Sequence, residues 1–153
     1  MMTANIAYVL HVVFAVLWVG GMAFAILALR PALAVLEPPQ RVALMGRVHK
    51  RFFLIIWHAM PIVLLTGYFL LFGHYGGFRG AGWHVHVMHL TGLIMAGIYL
   101  TIFFGPWRRM RGALAAGDLP GAAAANDGIR RLVSGNLALG LLTVGIAAWG
   151  RLG

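Results

Sequence analysis

The chain of 153 residues is 61% hydrophobic and only 10% charged, where a soluble domain carries about 25% charged residues. That leaves too few charges to cover a globular surface, and the hydrophobicity is the opposite of what keeps a chain disordered. The absence of cysteine excludes disulfides, zinc fingers, thiol catalysis, cysteine-ligated iron–sulfur clusters and covalent c-type haem attachment.

Four stretches are apolar over the roughly 17–25 residues a membrane helix needs. They run from about 5 to 29, 52 to 72, 84 to 104 and 132 to 149, and none contains Asp, Glu, Lys or Arg. The alternation of a membrane β-barrel is absent. The pattern predicts an all-α, polytopic four-transmembrane-helix bundle, a single integral membrane domain over residues 1–153.

The first stretch has no Lys or Arg ahead of it and is too long for a signal-peptide core, so it reads as a retained helix. Pro31, Pro38 and Pro39 break the chain after it. The basic, partly amphipathic segment Arg41–Arg51 reads as an interfacial helix feeding helix two. Pro61 should kink that second helix. The segment from Gly112 to Gly128 is rich in Ala and Gly and reads as a surface connector or a short helix.

The net charge of +9 is a topology signal rather than a nucleic-acid footprint. Arg30, Arg41, Arg47, Lys50 and Arg51 lie between helices one and two. Arg108, Arg109, Arg111, Arg130 and Arg131 lie between helices three and four. The turn between helices two and three holds only Arg79, and the C-terminus only Arg151. By the positive-inside rule the two basic segments face the cytoplasm and both termini face out, N-out/C-out. The cations are then placed to meet lipid headgroups. The partners expected are the bilayer, a redox partner or quinone, and further copies of the chain; nucleic acid is not.

Histidines are the only ionisable side chains inside the four stretches, and such groups are functional candidates by default. His11 lies six residues, about 9 Å, below the outer boundary of helix one. His89 lies at a similar depth in helix three, whereas His58 sits in the other leaflet. Two imidazoles at one depth suit bis-His ligation of haem b. Gly92 and Ala96, on the His89 face, would leave room for the macrocycle, with Trp18 and Tyr99 as walls. The same small residues also suit close helix packing, with neutral histidines bonded between helices.

A second constellation opens helix three. His86 and His89 are spaced i,i+3 and share one face; His84 and Met88 are spaced i,i+4 and share another. With His74 nearby, these imidazoles and the thioether suit copper, Met favouring Cu(I); a wet polar helix cap has the same composition. His89 cannot serve both models. His58 has Met22 and Met95 at similar depth as co-ligands for a metal, or is a structural histidine beside Pro61. Trp83, Trp107 and Trp149 fit an interfacial belt.

Helix one reads Leu10-His11, then Trp18-Val19-Gly20-Gly21-Met22, then Leu29-Arg30-Pro31-Ala32-Leu33. This resembles the opening of the CopD (copper-resistance D) family. Leu65-Thr66-Gly67 and the basic Trp107-Arg108-Arg109 extend the likeness more loosely. The chain is more distantly similar to HemJ-type protoporphyrinogen oxidases, four-helix proteins whose first helix also carries a His followed by Trp and small residues. The Pro-Arg, the Tyr-His and the early helix-three Lys of that pattern are missing here. The CopD resemblance implies a bacterial inner-membrane protein linked to copper handling; the HemJ resemblance implies haem b. His11 carries over in both.

The reading favoured from sequence is an inner-membrane, haem b-binding electron-transfer protein with His11 and His89 as axial ligands. His84 and His86 would then stand at the outer mouth. The alternative is a copper-binding or copper-import protein using His84, His86, Met88 and His89, with His11 deeper. A second alternative is a cofactor-free accessory subunit of a larger membrane complex. An enzymatic role as a membrane haem oxidoreductase stays open.

Overall fold

The computed structural model describes residues 2–152, and those residues fold into helices joined by short turns. Helix α1 spans Met2–Phe24 and runs on through a π-helical turn, Ala25–Leu29. Pro31 follows that turn. Its ring would press on the carbonyl of Leu27 in a regular helix, and the wider turn just before it relieves that contact. Tight turns over Arg30–Ala32 and Leu33–Val35 then reverse the chain.

Helix α2 spans Pro38–Gly73. Pro38 and Pro39 occupy its first turn, where a missing N–H does no harm. A reciprocal cap opens it, with the Glu37 amide donating to Gln40 Oε1 at 3.2 Å. At 36 residues it is about 54 Å long. The apolar run from 52 onward marks only its membrane part. The basic segment before it is the same helix, because Val42, Met45, His49, Phe53 and Ile56 form one buried stripe at three- and four-residue spacing.

Helix α3 spans Trp83–Phe104, and α4 spans Pro106–Ala115. Helix α5 spans Leu119–Leu152, capped by Asp118, whose Oδ1 accepts the Gly121 amide at 2.9 Å. The expected connector over 112–128 is therefore corrected. It holds the end of α4, a turn at Gly117 with φ of +71° that only glycine adopts readily, and the first turns of α5. Ala122 in that stretch and Ile129 just beyond it are fully buried, so the start of α5 is packed on the bundle.

Among the described residues, four helices are long and apolar enough to cross a membrane. Helix α1 packs chiefly on α2, and α3 chiefly on α5. Helix α4 lies on α5 beside the start of α2, so both basic segments meet at one end of the bundle. Phe53 is the hub of that end. Its ring stacks on His49 at 5.3 Å and meets Trp107 edge-on at 5.4 Å and Tyr99 at 6.0 Å. Its carbonyl accepts the Tyr99 hydroxyl at 2.8 Å. Trp107 is thus buried against α2, not part of an outward belt; Trp83 and Trp149 remain exposed.

Phe53→Ala removes the ring shared by four aromatic contacts, that with Phe52 included, and is expected to destabilise the bundle by about 3–5 kcal/mol. Tyr99→Phe, which deletes one hydroxyl, should lose about 1 kcal/mol. Unfolding by SDS titration from mild-detergent micelles measures both, and a Phe53→Ala loss no larger than that of Tyr99→Phe would contradict the hub assignment.

The histidine end as a candidate metal site

At the end opposite the basic segments, α1 is fastened to α2 by one imidazole. His11 Nδ1 lies 2.9 Å from the Val63 carbonyl oxygen. A carbonyl can only accept, so Nδ1 carries the proton and Nε2 keeps its lone pair. Thr66 Oγ1 stands 3.2 Å from the same nitrogen, its own hydroxyl donating to Ile62 O. Gly67 supplies the space, for a Cβ there would sit 3.1 Å from His11 Cε1. Metal-ligating histidines are commonly held this way, with one ring nitrogen donating to a carbonyl and the other turned to the ligand.

His89 stands against the next residue of α2. Its ring meets Tyr68 edge-on at 5.3 Å and Phe78 edge-on at 5.2 Å. His11 on Gly67 and His89 on Tyr68 therefore flank a single turn of α2. His86 stacks on Phe78 as well, with centroids 5.9 Å apart and planes 20° from parallel. One phenyl ring thus touches both imidazoles that share a helix face.

The remaining candidates lie apart. His84 turns towards α5, where a Cβ on Gly150 would collide with its ring. This agrees with the i,i+4 face it shares with half-buried Met88. His74 is exposed beside Tyr75. Among the described residues no three His, Asp or Glu side chains converge as a ready-made metal cluster.

His58 is exposed on the outer face of α2, and its Nδ1 donates to Leu54 O at 2.8 Å. Met22 and Met95 are buried in the core. His58 thus faces outward while the two thioethers lie in the core; depth fixes height along the membrane normal but not direction around the helix. Trp18, Ala96 and Tyr99 belong to the close-packed core. Around Gly92, by contrast, an added Cβ would meet nothing within 4 Å.

Sequence reasoning missed Val63 and Phe78 as contacts of the histidines. A backbone acceptor leaves no side-chain signature. Thr66 and Gly67 carried a usable signal: helix two rises to the depth of His11 at those positions, and a Thr-Gly pair there offers a hydroxyl beside a gap.

A family model described as copper resistance protein D (CopD) matches residues 46–150, which is more than half of the chain. The chain belongs to the CopD family. No curated protein and no solved structure matches it. The match takes in the Thr66–Gly67 receptor and His84, His86 and His89, while His11 reaches the site from outside the matched span. The likeness to HemJ-type oxidases finds no support in these comparisons.

In nitrogen-15 spectra of protein labelled at the imidazoles, His11 is expected as the Nδ1–H tautomer. Gly67→Val should push its ring off Val63 and abolish that signature, and Thr66→Val should leave it in place. An Nε2–H tautomer in the unsubstituted protein would contradict the arrangement.

Proposed function

We propose that this CopD family membrane protein handles copper, with the metal as cargo taken up at the histidine end, and that its basic end faces the cytoplasm. Membership of the family carries this reading. The local geometry supports it in one respect above all: His11 offers a bare Nε2 on a ring whose orientation is already held by α2. Exposed His86 and half-buried His89 and Met88 provide imidazole and thioether donors near the surface. That donor set matches Cu(I), which prefers soft thioether and imidazole ligands to oxygen. In this reading His86 and His89 meet the ion first and His11 receives it deeper.

The same lone pair favours a second reading, in which His11 and His89 would hold a haem b. Their donor chemistry and common level suit the group, which supplies one-electron transfer when bound. The open space at Gly92 lies on that side, whereas Trp18, Ala96 and Tyr99 are committed to the core. The copper reading has the family in addition, and it is preferred.

The test is a metal count and an absorption spectrum of detergent-purified protein, oxidised and dithionite-reduced, followed by Cu(I) competition with a chromogenic chelator. Copper handling predicts no Soret band and Cu(I) affinity reduced on the order of tenfold or more by His11→Ala and by His86→Ala/His89→Ala. Since removing even a residue that orients a ligand typically loses 10–100-fold, unchanged affinity in both variants would overturn the assignment. A Soret band lost in His11→Ala or His89→Ala would transfer the site to haem. Binding of neither group would leave the accessory-subunit reading.

A further inference from the structure

The basic end carries two cavities of about 600 Å³ each, one on either side of α2. They differ in how their charges are answered. In the cavity facing α1 and α5, which Arg30 also lines, Arg41 donates to the Ala34 and Leu36 carbonyls, and Arg130 pairs with Asp127 at 3.3 Å, so an acidic residue stands among its walls. The cavity between α2 and α4 is lined by Arg47, Lys50 and Arg111, with no acidic residue among its walls. Among the described residues the one ion pair is Arg130–Asp127, so these three cations have no carboxylate partner.

The walls are ordered along the membrane normal. Arg47, Lys50, Leu54 and Trp57 follow one another on α2 at spacings of three, four and three residues, hence on one stripe. From Arg47 to Trp57 the stripe climbs about 15 Å, passing from charged to apolar where the helix meets the hydrocarbon. Phe103 continues the apolar wall, its ring 5.0 Å from that of Trp57. On the far side, Arg111 lies over Trp107 at 5.7 Å. Gly46 and Leu114 close the floor; a Cβ at Gly46 would come within 2.6 Å of Leu114 Cδ1, so α4 seats directly on the glycine.

We infer that this cleft is a binding site for one anionic phospholipid, its headgroup phosphate held among Arg47, Lys50 and Arg111 and an acyl chain laid along Leu54, Trp57 and Phe103. A basic pocket between helices at the headgroup level is the form that sites for anionic lipids take. A soluble anion would use only the cations and leave the aromatic wall idle. An uncharged lipid would leave three cations unanswered. The amphiphile matches both halves of the cleft. The cleft lies at the bilayer boundary whichever side the basic end faces, so the inference stands apart from the copper reading.

Full-length protein in a non-ionic detergent is titrated with phosphatidylglycerol and, separately, with phosphatidylcholine, and bound lipid is counted by native mass spectrometry. One phosphatidylglycerol per chain should be retained in preference to phosphatidylcholine. Arg47→Gln/Lys50→Gln/Arg111→Gln should weaken that binding by about two orders of magnitude, at roughly fivefold per cation. Arg108→Gln/Arg109→Gln/Arg131→Gln removes equal charge from the same end outside the cleft and should retain the lipid. Equal loss in both triple variants, or equal retention of the two lipids, overturns the site. Millimolar inorganic phosphate should leave the lipid bound; displacement by phosphate alone would reassign the cleft to a soluble anion. Should the cleft triple variant misfold, the single variants Lys50→Gln and Arg111→Gln, both at exposed positions, carry the same comparison.

Discussion

A helix in a bilayer must keep its own backbone hydrogen bonds, because no water is present to replace them. Its carbonyl oxygens nevertheless have a second lone pair to lend, and this bundle is tied together by such loans. His11 of α1 reaches Val63 O on α2, and Tyr99 of α3 reaches Phe53 O on the same helix. Asn136 of α5 donates to Met95 O on α3 at 3.4 Å, and the hydroxyls of Thr143 and Thr91 meet at 2.8 Å between the same two helices. The result is a chain of polar ties running α1 to α2 to α3 to α5. Each tie leaves the borrowed helix intact, so the helices are held in register without any charge within the apolar spans. In model systems such bonds contribute about 0.6–2 kcal/mol each, and the close-packed core does the rest.

The two ends of the bundle use aromatic rings in opposite ways. At the basic end Phe53, Trp107 and Tyr99 are buried and interlocked, and the imidazole of His49 is one more ring in the stack. At the histidine end Tyr68, Phe72 and Phe78 are exposed and the imidazoles stand between them. The denser aromatic packing therefore belongs to the end where α2, α4 and α5 converge. The histidine end holds a short glycine-rich turn, with positive φ at Gly76 and Gly77.

Much of the architecture was legible in the amino-acid sequence. Apolar runs without charge marked the four spans, because a bilayer imposes a length that composition alone reveals. The division of His86 and His89 from His84 also followed from spacing. The polar extension of α2 was legible as a helix, but not its continuity with the membrane span. The extension of α5 stayed hidden, because its first turns are rich in Ala and Gly and bury only a thin stripe, so a reading tuned to continuous hydrophobicity stopped at 132. The tie from His11 to Val63 was hidden for a different reason, since any residue can offer a carbonyl. The direction of His58 needed the rotation of α2, which depth arithmetic does not supply.

That rotation couples the two candidate ligands. Gly67 and Tyr68 are consecutive residues of one helical turn, about 100° apart around the axis, and each is the seat of a different imidazole. Turning α2 about its axis to free His11 would swing the Tyr68 ring past His89 in the same movement. A substitution at either seat acts on one imidazole, but any rotation of α2 acts on both.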